Sequence, residues 1–215
     1  DWQIGNWFLP FVPGVDKKYI KNSISALSRW KIFDNLRRSL VPIVLVALLI
    51  LGWTTMSAWV WTLVVLTIIF LPSGLTSIWG ATRKPKEVAT KQHITNTVGI
   101  TSKNILQSVF TLVCLPYEAY ISIDAIAKTL WRINISHRKM LEWSPSGFVQ
   151  KQKDGILKAY LTMWIAVVLP AAIGIYLFKE SSPVLFIAAP FLLLWILSPA
   201  IVNSLGKPLA TSKAR

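Results

Sequence analysis

The sequence contains one cysteine, Cys114, so no disulfide forms within the chain and no thiolate cage holds a metal. Acidic residues are scarce too: 9 Asp and Glu stand against 23 Lys and Arg, a formal net charge of +14. The carboxylates are scattered, with no pair spaced for acid–base work, and His93 and His137 lie far apart. No glycine-rich phosphate loop, G-x-S-x-G elbow or H-E-x-x-H helix is present. The first residues lack the basic and apolar regions of a signal peptide. Charged residues make up only 15% of the chain, against about 25% in a soluble domain. These absences argue against a complete enzyme with its reaction centre in this chain. The start at Asp1 without Met and the stop at Arg215 are expected to be cut ends of a longer protein.

What is present is apolar and arranged in blocks. Hydrophobic residues reach 53% and the mean hydropathy is +0.52. The fold class this implies is an all-α membrane protein: four transmembrane helices in two hairpins, with amphipathic interfacial helices. The first hairpin is expected over residues 41–80. Val41–Trp53 alone is short, since ~13 residues at about 1.5 Å each cover ~20 Å of a core about 30 Å thick. Extension through Leu36–Leu40 lengthens it, because Arg37 and Arg38 can snorkel to headgroups. Gly52–Ser57 reads as a tight turn and Ala58–Ile78 as the second span, kinked at Pro72. The second hairpin, over 156–206, joins Ile156–Phe178, with Pro170 inside it, to Val184–Leu205, with Pro190 and Pro199. Residues 207–215 read as a cytoplasmic linker.

Two stretches are read as interfacial. Over 1–40, Pro10 and Pro13 disfavour a continuous helix, and Trp2, Trp7 and Phe8 suit a membrane–water boundary. Asp16–Ser39 reads as an amphipathic helix with Asp16 as its cap: Ile20, Ile24, Leu27, Trp30, Phe33 and Leu36 recur every three or four residues. A basic helix with an aromatic stripe lies on an anionic bilayer or packs on a neighbouring soluble domain, and the two are compatible. Over 81–155, Leu106–Trp143 is expected to form one or two interfacial helices. Glu118 and Asp124 make a full crossing costly, roughly 2.5–3.5 kcal/mol or more for an Asp at the bilayer centre. The candidate membrane-surface residues are Arg29, Trp30, Lys31, Arg37, Arg38, Trp131 and Arg132.

The basic residues cluster before the first span, in the long middle segment and in the tail, whereas the two short turns carry only Lys179. By the positive-inside rule both ends and the middle segment face the cytoplasm. The same pattern explains the positive charge without a nucleic-acid partner.

One segment has a specific likeness. Ser25–Pro42 (SALSRWKIFDNLRRSLVP) resembles a stretch of the cyclic β-1,2-glucan synthases that follows their glycosyltransferase domain and leads into a membrane span. Leu115–Trp131, Arg138–Trp143 and Trp195–Ile201 resemble later helices of that family in the same order, so the likeness covers nearly the whole chain. It implies a large bacterial inner-membrane enzyme that uses UDP-glucose with Mg or Mn to extend a β-1,2-glucan, with further domains that trim and cyclise it. The partners so implied are the lipid bilayer, the adjoining cytoplasmic domains and the glucan chain. Asp1, Trp2 and Gln3 look like the tail of the family's R-G-D-W-Q element, itself similar to the acceptor-end Q-x-x-R-W motif of processive glycosyltransferases. That implies a stacking role for Trp2 and hydroxyl contacts for Asp1 and Gln3. The preceding Arg-Gly and the acidic metal-binding motif are not in this chain, so the resemblance assigns it no catalytic residue or cofactor. A glycan transporter or channel module and a plain anchor are the competing readings.

Overall fold

The computed structural model describes the chain except for residues 1, 14–17, 56, 84–88, 137–154, 181–182 and 207–215. It is almost entirely helical. A short 3-10 helix, Trp2–Phe8, is followed by a two-stranded antiparallel ribbon of β1 (Phe11–Pro13) and β2 (Tyr19–Lys21), with Val12 opposite Ile20. Among the described residues six α-helices come next: α1 (Ala26–Thr54), α2 (Ala58–Thr82), α3 (Thr90–Trp131), α4 (Ile156–Thr162), α5 (Ile165–Lys179) and α6 (Val184–Leu205). A π-helical turn, Arg132–Ser136, extends α3. The chain divides into two compact units, Asp1–Val44 with Glu118–Lys153, and Leu45–Tyr117 with Asp154–Arg215.

Four helices, α1, α2, α3 and α6, are long and apolar enough to cross a membrane. α4 and α5 pass the same test together but are bent by 69° at the break between them. Most of these helical surfaces face outward: in α2 only 17% of the apolar window is buried. Leu63, Ile68, Leu71, Leu75 and Ile78 all lie exposed along it. An apolar surface of that extent is unstable in water and suits hydrocarbon as its solvent.

Within the second unit the helices meet through three kinds of contact. The first is close approach. Gly52 of α1 lies so near α2 that a Cβ placed on it would sit 2.4 Å from Trp61 Cβ. Beside it, the buried Trp53 donates its Nε1–H to Thr62 Oγ1 at 3.0 Å. The Trp53 ring also lies 5.9 Å from both Phe191 and Trp195 of α6, measured between centroids. The second kind is a polar seam between α2 and α3. Ser73 Oγ and Ser108 Oγ are 2.6 Å apart, and Asn104 Nδ2 donates to Thr76 Oγ1 at 3.4 Å. Small hydroxyl-bearing residues let membrane helices approach and bond where no water competes.

The third kind repairs prolines. Pro116 has no N–H, so the carbonyl of Leu112, one turn earlier in α3, loses its helical donor. Trp195 of α6, fully buried, donates its Nε1–H to that carbonyl at 3.0 Å. Pro199 of α6 likewise leaves the Trp195 carbonyl without its usual donor, and the buried Ser198 Oγ–H bonds it at 2.7 Å. Non-helical partners for freed backbone groups are what make proline tolerable at membrane depth.

The architecture agrees with the expected fold class, and four differences carry physical reasons. α1 begins at Ala26 rather than Asp16; Ser25 caps it, its Oγ accepting the Ser28 N–H at 3.2 Å. Asp16 lies outside the described residues. The expected turn at Gly52–Ser57 is shorter, because α1 continues to Thr54 and Gly52 serves helix packing. In place of one or two interfacial helices over Leu106–Trp143, a single 42-residue helix starts at Thr90, and residues 137–143 of that stretch lie outside the described residues. Asp124 is paired with Lys128 at 2.6 Å, which lowers the cost of its charge along the helix. Finally, Ile156–Phe178 is broken at Met163–Trp164, seven residues before the proline expected to kink it.

Candidate membrane-surface and acceptor site

The residues singled out near the N-terminus come together in the first unit, on the leading half of α1. Asn22 organises this region. Its Nδ2 donates to the carbonyls of Trp7 at 2.6 Å and Leu9 at 2.9 Å. Its Oδ1 accepts from the Ile24 N–H at 3.1 Å, and its own N–H donates to Pro10 O at 2.9 Å. Four bonds on one residue fold the 3-10 helix and the ribbon back toward the start of α1. Val12, 1% exposed, is the buried centre of the ribbon.

Two further contacts fix the 3-10 helix to α1. Arg29 donates through Nε to Phe8 O at 3.0 Å, with its guanidinium 5.9 Å from the Phe8 ring. Phe8 also stacks on Phe33 with centroids 5.5 Å apart. One turn farther on, Trp2 donates its indole N–H to Ser39 Oγ at 2.8 Å, and that hydroxyl donates to Leu36 O at 2.7 Å. Trp2 is thus half-buried with its polar edge already bonded. Gln3 is exposed, and Asp1 lies outside the described residues.

The basic residues of α1 divide into two groups. Lys31 and Trp30 are exposed, and Trp30 rests at 5.6 Å from Phe33. Arg37 and Arg38 both reach back one turn to Asp34, each at 2.7 Å. Their heads therefore point toward the helix start, away from the apolar run that begins at Val41, the direction snorkelling requires. Trp131 and Arg132 sit at the far end of α3, Trp131 exposed and Arg132 in the π-helical turn. The outcome is a ledge with an exposed aromatic set (Trp7, Phe11, Tyr19, Trp30) beside cations, the pairing that membrane interfaces favour.

A search against family models gives no match. Comparison with curated proteins does: the chain is 32% identical over 206 residues, 93% of its length, to the cyclic beta-(1,2)-glucan synthase NdvB of Rhizobium meliloti (strain 1021). It is a relative of the cyclic β-(1,2)-glucan synthases. The matched region is 7% of NdvB, so the chain corresponds to a small part of a much longer polypeptide. The similarity to NdvB bears out the resemblance read from Ser25–Pro42 and the later segments.

Set against a relative of NdvB, the donor chemistry here is restricted. Among the described residues no three His, Cys, Asp or Glu side chains come together. Sequence reasoning missed Asn22 and Ser39, whose roles depend on contacts 12 to 37 residues away. Asp34 was within reach, because its spacing to Arg37 and Arg38 places all three on one helical face.

Proposed function

We propose that this chain is the membrane module of a cyclic β-1,2-glucan synthase of a bacterial inner membrane. Its helices anchor the enzyme and form a floor beneath a UDP-glucose-dependent, processive glucosyltransferase carried, with glycan-processing domains, by the rest of the polypeptide. The observation that carries this reading is the similarity to NdvB across 93% of a chain rich in membrane-length helices. The donor sugar nucleotide and its divalent metal belong to the transferase domain. The basic segments face the cytoplasm, and both ends lie there. The ledge on α1 rests on the headgroups, with Arg29, Trp30, Lys31, Arg37 and Arg38 at the lipid surface. Asp1, Trp2 and Gln3 meet the acceptor end of the growing glucan. The Trp2–Ser39 bond supports that role by fixing the indole plane, so that a ring face is available for stacking on a sugar.

The test uses membranes that contain the intact parent protein and labelled UDP-glucose, with β-1,2-linked glucan as the readout. Wild type makes the product, Trp2→Ala loses most of it, and Trp2→Phe, which keeps an aromatic face, retains a substantial part. Equal product from all three would reduce Trp2 to an interfacial aromatic. No β-1,2-glucan from inserted wild type would sink the functional reading.

A further inference from the structure

Between the end of α2 and the first turns of α3 lies a half-open cavity of about 200 Å³, mainly apolar in surface but with several polar side chains set into its wall. It is bordered by Thr76, Ser77, Arg83, His93, Asn96 and Thr97, among others. Among the described lining residues none is acidic and none is Trp, Tyr or Phe. Thr76 and Ser77 already donate to backbone carbonyls of α2. The donors that face an occupant are therefore Arg83, Asn96 and Thr97, with the His93 ring beside them, its Nε2 3.4 Å from Ala81 O. Donor side chains with no carboxylate among the described lining residues select an oxygen-rich anion.

Arg83 is held ready for such a group. Its guanidinium stacks over the Trp79 ring at 3.9 Å, and stacking uses the flat face while leaving the in-plane N–H donors available. The size narrows the choice. At about 200 Å³ the cavity is below the ~300–1,000 Å³ of drug-sized sites, and it has no aromatic wall on which a sugar ring would stack. The surroundings narrow it further. The same turn of α2 carries a shallow apolar groove lined by Leu75, Ile78 and Trp79, and Thr76 borders both it and the cavity beside Arg83. An anionic head next to an apolar tail track, at the end of two membrane-length helices, is the chemistry of a phospholipid; basic pockets between transmembrane helices bind anionic headgroups.

We propose that this cavity holds the phosphate of an anionic phospholipid, with an acyl chain laid along the groove of Leu75, Ile78 and Trp79. The inference rests on α2 being a membrane helix and on the first turns of α3 lying at the bilayer surface beside its end. It does not depend on glucan synthesis, so the two readings fail separately.

The experiment is native mass spectrometry of the intact protein in mild detergent with phosphatidylglycerol, phosphatidylcholine or inorganic phosphate added. The expected result is retention of one phosphatidylglycerol over phosphatidylcholine by about tenfold: both carry the phosphate, but only phosphatidylcholine brings a quaternary ammonium up beside the Arg83 guanidinium, where like charges repel. Arg83→Gln and Asn96→Ala each weaken it, at unchanged helicity by circular dichroism. Lys91→Gln, which removes a nearby exposed charge outside the lining, leaves it unchanged. Equal retention of the two lipids, or equal loss with Lys91→Gln and Arg83→Gln, would overturn the proposal in favour of diffuse attraction. Displacement by millimolar inorganic phosphate would overturn it in favour of a free-phosphate site.

Discussion

Gly52→Ala should loosen the α1–α2 hairpin, although alanine is the better helix former. The added Cβ would lie 2.4 Å from Trp61 Cβ and 3.0 Å from its Cγ, where ordinary contact begins at 3.4 Å. Trp61 Cβ is fixed to the α2 backbone, so no rotamer change relieves the first clash, and the helices must part by about 1 Å. Overpacking of this kind costs ~1–3 kcal/mol. Parting the helices also stretches the buried Trp53–Thr62 bond, now 3.0 Å, from which a further ~0.5–1 kcal/mol is lost. The gain in helix propensity returns about 1 kcal/mol. The net expectation is a destabilisation of about 0.5–3 kcal/mol, read as a lower midpoint for unfolding in mixed micelles followed by circular dichroism. Gly74 supplies the control: a Cβ there meets nothing within 4 Å, so Gly74→Ala should be neutral or stabilising. If Gly52→Ala matched Gly74→Ala, or raised the midpoint, the close-approach argument would be refuted.

Trp195→Phe should cost about 1–3 kcal/mol by stranding the Leu112 carbonyl in an apolar interior. Adding Pro116→Ala, which restores that carbonyl's helical donor, should recover part of the loss; a double-mutant cycle in unfolding measurements with no coupling between the two sites would contradict the repair. Ser25→Ala should remove about 1 kcal/mol from the start of α1. The sign is faster amide exchange at Leu27–Arg29, and unchanged exchange would mean another group caps the helix.

Much of the transmembrane plan was legible because apolar blocks of membrane length leave little choice of structure. The start of α2 at Ala58 and the limits of α6 at Val184 and Leu205 follow directly from composition. The start of α1 did not. Ile20 and Ile24 fit a helical stripe, but Ile20 lies in β2, and Asn22 bonds three backbone carbonyls of the preceding segment in a way local periodicity does not encode. α3 was hidden by Glu118 and Asp124, read as obstacles to an apolar helix when Lys128 stands one turn beyond Asp124 to pair with it. The break at Met163–Trp164 has no proline to announce it. At the candidate site, the aromatic and basic residue types were evident from the sequence, whereas the Trp2–Ser39 bond is a tertiary contact across 37 residues.

The bond from Trp195 to Leu112 also bears on the order in which the protein is made. Its partners are 83 residues apart, and synthesis at about 5–20 residues per second delivers the first several seconds before the second. Over that interval α3 carries a backbone acceptor that its own proline has left open. The later helix therefore completes one made earlier, and a chain truncated before Trp195 would display that open carbonyl to whatever machinery surveys unfinished membrane proteins.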